Sequence, residues 1–564
     1  YESPYSEMMW ESPDGTKIFG ILFANWYNNG NEVPTDKKSA KEYWDDRLKK
    51  VATFASTDEY LLMNGCDHQP VQADLGKAIE VASELYPDIN FKHSNFPDYI
   101  KAIKEKVPND LAVVKGELTS QDTDGWSTLI NCASSHIYLK QMNRKCESAL
   151  ENGAEPVRVL SSVLGQNYPS DELEYSWKKL MQNHPHDSIC CCSVDEVQDE
   201  MATRFNKSKQ VADYLVSEGT RYIADKINTK EYEKYKNALP FVVFNTTGRK
   251  RTSVVSVEID VTRKSGWLKK CAYDLDEINV PNYKLIDSAG NSIPFKIEDL
   301  GVRFGYDLPK DKFRQPYMAR RVRVTFEAEN ISAVGYKTYA LVEGDAEKVT
   351  DTLVSGENCM ENDAIRVEIN KNGSLNVTDK ASGRTYKGVA YYEETGDLGN
   401  EYMYKMPEGS KAITTQDTVA KIELAEDEPY RAMYKITNTI TVPKSGDDNF
   451  EDEKRHMVFF KERVGGRSND TVEMKIETFV SLDKNGKGVK IKTRFDNEVK
   501  DHRVRIMVPT GINSDVHKAD SVFEVVTRNN RHNAGWNNPS GCEHEQGFVS
   551  IDDGEKGIAV ANIG

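Results

Sequence analysis

VDEVQDEMATRFNKSKQVADYLVSEGTRYIADKI, residues 194–227, keeps one periodicity from end to end, with Gly219 as its single helix-weakening residue. Apolar side chains return every three or four positions, which predicts one long amphipathic helix in need of partners. Two stretches upstream share the pattern, STLINCASSHIYLKQMNRKCESALE (127–151) and DELEYSWKKLMQN (171–183). Three such helices make residues 126–228 a helical bundle domain.

The pattern differs on either side. Over residues 1–125, strand-like segments (TKIFGILFAN, EYLLMNG, INFKHSN, LAVVKGEL) alternate with helix-like ones (KKSAKEYWDDRLKKVATFA, DLGKAIEVASELY, PDYIKAIKEK). Single helices between strands imply a parallel sheet with helical crossovers, whose chemistry gathers in loops at the strand ends. After ALPFVVFNTTG the chain turns to short alternating strands such as SVVSVEIDV, RRVRVTFEAE, AIRVEINKNGSLNVTD and KGVKIKTRFD, punctuated by NG and SG turns. These read as β-sandwich domains, a small one over 229–354 and a large one over 355–564, divided near SGENCMEND. The fold class is therefore multidomain α/β plus all-β.

A chain of 564 residues divides into roughly three or four domains. A net charge of −16 argues against a nucleic-acid partner. No apolar run approaches the roughly 18 residues of a membrane span. Nine cysteines, an odd number, suit reduced thiols and hence a cytoplasmic location. A start at Tyr1 and a stop within GIAVANIG read as a fragment of a longer protein.

Just before the long helix lies QNHPHDSICCCS, residues 182–193. Zinc held by its cysteines is the first reading, and spacing opposes it: three adjacent residues cannot turn all their sulfurs toward one ion. Cys190, Cys191 and Cys192 are then expected as small buried hydrophobes. A redox site would need a cation in the nearby sequence to depress a thiol pKa, and ICCCS has none. Ser193 is placed to cap the long helix, with Glu196 completing a capping box. His186 beside Asp187 is a plausible ligand with a plausible neighbour.

YLLMNGCDHQPVQ (60–72) puts Asp67 and His68 just past a buried segment, where a catalytic loop or an Asx-turn would stand. Taken in order with SSHIYLKQMNRKCE (134–147) and HPHDSIC followed by SVDEV, it resembles the bacterial branch of the glycoside hydrolase family 38 α-mannosidases. The resemblance extends from WESPDGTKIFGILFANWYNNGNEVP to RHNAGWNNPSGCEH and GIAVANIG. It implies the C-terminal part of a seven-stranded β/α barrel-like catalytic domain, then the bundle, then the sandwiches. The implied activity is hydrolysis of terminal α-mannosides with retention, assisted by one divalent ion, usually zinc, that holds two mannose hydroxyls. By the same resemblance His186 is a metal ligand, Asp187 orients it or touches a sugar hydroxyl, and Asp67 is the general acid/base. Tyr27 in ANWYNNG, and Tyr402 and Tyr404 in GDLGNEYMY, correspond to substrate-facing positions. The family's amino-terminal His-x-Asp motif and its nucleophilic aspartate do not occur; the first histidine is His68. They are expected upstream of Tyr1, so this polypeptide alone is expected to bind metal weakly and not to turn over. Two further departures are His136, where Arg is expected, and Cys191, where Gly is expected.

The alternative within the family is a hydrolase of mannosylglycerate or its phosphorylated form. From another class, a non-catalytic carbohydrate-binding module would bind mannosides without dependence on Asp67. A mannose-containing oligosaccharide is the expected partner, and a homodimer the expected assembly.

Overall fold

The computed structural model describes residues 3–118, 129–347, 349–522, 524–532, 534–538 and 540–562. The expected boundary at 125/126 lies outside these residues. The chain forms two compact units, one of Tyr1–Trp126, Asp515–Pro539 and Phe548–Ser550, the other of Ser127–Ser514, Ser540–Gly547 and Ile551–Gly564.

In the first unit, β1 (Glu7–Glu11) pairs antiparallel with β2 (Lys17–Ile21) and parallel with β3 (Val113–Lys115). The helices form where periodicity places them: α1 (Lys37–Ala52), α2 (Leu75–Leu85) and α3 (Phe96–Lys104). Asp36 caps α1 by accepting from the Ser39 amide at 2.9 Å, and Asn95 caps α3 through the Asp98 amide at 3.0 Å. Their core joins Ala40 and Trp44 of α1 to Ala78, Val81 and Ala82 of α2, with Phe91 against Trp44. Two expectations are corrected. The sheet is mixed rather than parallel, and EYLLMNG and INFKHSN are not strands.

The second unit begins with the bundle: α4 (Ile137–Ala149), a π-turn at Leu150–Ala154, α5 (Glu155–Val163), α6 (Ser170–Met181), the single turn α7 (His186–Ile189) and α8 (Asp195–Ala224). The α8 stripe Met201, Phe205, Ala212 and Leu215 packs on Leu139, Cys146, Leu150, Leu173 and Leu180. Gly219 is required by approach: a Cβ there would stand 2.6 Å from Val157 of α5. Ser193 does not cap α8. Its hydroxyl donates to the Asp187 carbonyl at 2.7 Å, and Val194 occupies the cap position without a side-chain bond. The expected capping box is thus replaced by a bond that closes the cysteine turn.

The rest of the second unit is mainly antiparallel sheet, with two short helices at Leu268–Asp276 and Asp448–Arg455. Leu285 and Leu341 from one sheet meet Val322, Val324 and Phe326 from another. Further on, Val367 and Leu375 of a five-stranded sheet meet Ala432, Ile436 and Val480 of a four-stranded one. KNGS closes the Ile365–Ile369/Leu375–Asp379 hairpin, with Gly373 at φ 84°. A further, three-stranded sheet pairs Tyr391–Gly396 with Ile413–Thr414 and His502–Met507, and its first strand runs into the loop that bears Tyr402 and Tyr404.

Candidate active site

In the first unit, NWYNNGNEVP and YLLMNGCDHQPVQ are joined largely by side-chain amides. Asn29 donates to the Leu61 carbonyl at 3.0 Å and accepts from the Met63 amide at 2.8 Å. Asn64 donates to the Gly30 carbonyl at 3.0 Å and to Gln72 at 2.9 Å, while Gln72 donates to the Val33 carbonyl and accepts from its amide. Side chains thus satisfy backbone groups that a sheet ladder would otherwise take.

This clamp presents Tyr27 and Asp67 together. The Tyr27 hydroxyl donates to Asp67 Oδ2 at 2.9 Å, and the Tyr27 ring stacks on Trp26 at 5.4 Å. Both residues are exposed, Tyr27 at 42 %. The Asp67 hydrogen bond and charge hold the Tyr27 phenol above its ordinary pKa.

The second unit places His186 and Asp187 on α7. His186 is 93 % exposed, with Nε2 3.4 Å from Asp187 Oδ1. His184 instead faces the bundle, bonded to Asn143 Oδ1 at 2.8 Å, and burial pushes its pKa down.

The cysteines separate by role. Cys191 is 4 % exposed within the bundle core and takes φ 64°, the left-handed region where glycine is favoured. This residue reverses the chain, so that Cys190 and Cys192 come together: their sulfurs are 3.4 Å apart, and Cys192 Sγ is 3.4 Å from Asp187 Oδ1. Ligand atoms of Asp187, Cys190 and Cys192 all lie within 4.8 Å of one another. Spacing alone excludes all three sulfurs from one point, and the structure brings two of them to one.

Tyr402 stands beside this cluster, its phenol pushed above the ordinary range by its hydrogen bond to Cys192. Its loop is held by groups that carry no motif. Asp397 accepts from the Gly399 amide at 2.8 Å, the Lys405 amide at 3.0 Å and the Asn131 side chain at 2.7 Å. Burial raises the Asp397 pKa against these bonds. Asn131 also donates to the Asn400 carbonyl at 2.8 Å, tying the loop to the bundle. Gly399 admits no side chain, since a Cβ would fall 1.6 Å from the Met403 carbonyl oxygen. Tyr404 departs from expectation. It is 4 % exposed, its hydroxyl faces Thr395 at 3.4 Å, and the Arg503 guanidinium lies 3.7 Å from its ring centre. It supports the loop from beneath.

Most of the chain matches one family, in four pieces that follow one another along the sequence. Residues 2–127 match the N-terminal domain of glycosyl hydrolases family 38, 127–223 the α-mannosidase middle domain, 236–343 the family's C-terminal domain 1 and 360–564 its C-terminal domain. The chain belongs to glycoside hydrolase family 38. An α-mannosidase from Enterococcus faecalis V583 of solved structure is 44 % identical at TM-score 0.96, over 99 % of this chain and 64 % of its own. A family 38 protein from Enterococcus faecalis is 39 % identical at TM-score 0.87, over 99 % and 63 %. A "Putative mannosylglycerate hydrolase" of Halalkalibacterium halodurans (strain C-125) is 42 % identical over 579 residues, covering 100 % of this chain and 63 % of that protein. The chain thus spans somewhat under two thirds of these family 38 relatives. Among the described residues no helix is long and apolar enough to cross a membrane.

Proposed function

We propose that the protein is a retaining α-mannosidase acting on terminal α-linked mannose of oligosaccharides, with Asp67 as general acid/base. The observation that carries the reading is the Tyr27–Asp67 pair, held on an amide-clamped loop in a chain whose segments match family 38 in order. A glycosidic oxygen leaves poorly unless protonated, and a positioned carboxyl supplies that proton. Tyr27 occupies Oδ2, which leaves Oδ1 to serve the substrate. When the glycosyl intermediate is hydrolysed, the same carboxyl in its ionised form takes the proton from the attacking water.

His186 and Asp187 suit a metal in kind: an exposed imidazole beside a carboxylate that orients it. A single imidazole does not hold zinc by itself, so the ion would need ligands beyond His186. When bound, the ion would hold two mannose hydroxyls. Tyr402 is proposed as a substrate contact and Tyr404 as its support. We also propose the four-way division at 125/126, 228/229 and 354/355, a homodimer and a cytoplasmic location.

The test compares the full-length protein with Asp67→Asn and His186→Ala for zinc content and α-mannoside hydrolysis. His186→Ala should lose metal, and Asp67→Asn should keep metal while losing turnover of poor leaving groups. Full activity in both variants would refute the assignment. The name of the 42 % identical relative favours a second reading, hydrolysis of mannosylglycerate. A kcat/KM for that substrate well above that for mannobiose would select it.

A further inference from the structure

Cys190 and Cys192, beside Asp187, are a pair of thiols that glycoside hydrolysis does not require, since the reaction runs on carboxylates and hydroxyl contacts. Their geometry suits a cation. Two sulfurs at about 2.3 Å from a tetrahedral ion stand about 3.8 Å apart. Cys190 and Cys192 are already at 3.4 Å, and Asp187 Oδ1 is at 3.4 Å from the second sulfur. Cys132 brings a third thiol alongside Cys190. Its thiol also reaches the Glu401 carbonyl at 3.7 Å, on the loop that carries Tyr402. The arrangement is built by the backbone: Cys191 at φ 64° turns its own sulfur into the core and aims its neighbours to the same side.

We propose that Cys190 and Cys192, with Asp187 and Cys132 beside them, bind a thiophilic divalent cation such as Zn²⁺ or Cd²⁺ through their sulfurs. Thiolates select such ions over Mg²⁺ and Ca²⁺. Each sulfur–metal bond forms as its thiol proton leaves to solvent.

The test is a Cd²⁺ titration of the metal-stripped full-length protein, read by the ultraviolet thiolate-to-cadmium charge-transfer band. The band should saturate near one equivalent and weaken in Cys190→Ser and in Cys192→Ser. It should vanish in the double variant and persist in His186→Ala and in Cys66→Ser. An ion at the family site has no thiolate and gives no such band, so failure of the mannosidase reading leaves this result untouched. The wild-type protein supplies a second readout that needs no substitution: Cd²⁺ should shield Cys190 and Cys192, but not Cys66, from alkylation read by peptide mass spectrometry. No band at one equivalent, a band surviving the double variant, or equal alkylation with and without Cd²⁺ would overturn the proposal.

Discussion

The hydroxyl of Tyr27 donates to Oδ2 of Asp67 across 2.9 Å, joining two residues forty positions apart on loops that share no ladder. The bond fixes which oxygen of Asp67 is free. Replacing Asp67 by Asn should lower kcat/KM for an alkyl α-mannoside by about 10²–10⁴-fold, and much less for a dinitrophenyl mannoside, whose leaving group needs no proton. Tyr27→Phe should cost about tenfold, the scale of one hydrogen bond to a charged group. Equal losses on both substrates in Asp67→Asn would remove the acid role.

The same bond raises the phenol pKa of Tyr27 in the folded protein. A group whose folded pKa is raised contributes stability that is complete below its unfolded pKa, about 10 for tyrosine, and that is lost as pH rises through the folded value. NMR titration of labelled tyrosine, with Tyr27 assigned through Tyr27→Phe, should show its ionisation moving to lower pH in Asp67→Asn. Superimposable curves would argue against the bond in solution.

Asn29 satisfies the Leu61 carbonyl and the Met63 amide from a buried position. Asn29→Ala should destabilise the protein by about 1–3 kcal/mol, the cost of leaving buried partners unmet. Because those partners lead into the Asp67 loop, kcat should fall with stability under native conditions. Urea unfolding and steady-state kinetics check both; an unchanged midpoint would show that water replaces the amide.

At Cys191 the usual ranking of alanine over glycine should invert. The left-handed backbone costs a residue with a Cβ about 1–2 kcal/mol, so Cys191→Gly should be more stable than Cys191→Ala by about 1 kcal/mol. A more stable alanine variant would mean that the turn relaxes away from φ 64°.

Glu394 is fully buried, with Arg467 bonded to both its oxygens and His502 Nδ1 at 3.3 Å. Burial alone would raise its pKa, but the His502 and Arg467 contacts outweigh it and hold the value low. A depressed carboxyl contributes stability above its unfolded pKa and loses it as pH falls through the folded value. Arg467→Met should cost about 3–5 kcal/mol at neutral pH by stranding a buried charge. That penalty should shrink in acid as Glu394 becomes protonated, and a cost independent of pH would contradict the pairing.

Local chemistry was legible wherever neighbours along the chain decide it. The periodicity of 194–227 placed α8, NG marked the turn at Gly373, and each helix expected in the first unit formed. EYLLMNG has the composition of a strand, yet Asn29, Asn64 and Gln72 take the hydrogen bonds around it, and composition does not report which partner a carbonyl finds. Ser193 carried a cap signature, but the nearby Asp187 carbonyl claims its hydroxyl.

The order of the segments and the family are properties of the sequence, because hydrophobic period and motif order are written along one dimension. Tyr27, Asp67, His186, Asp187 and Tyr402 could be singled out there as well. The Tyr27–Asp67 bond, the burial of Tyr404 beneath Arg503 and the meeting of Cys190 with Cys192 around Cys191 were decided only in three dimensions. Each depends on distances between groups whose separation is set by packing and by one backbone dihedral rather than by residue type.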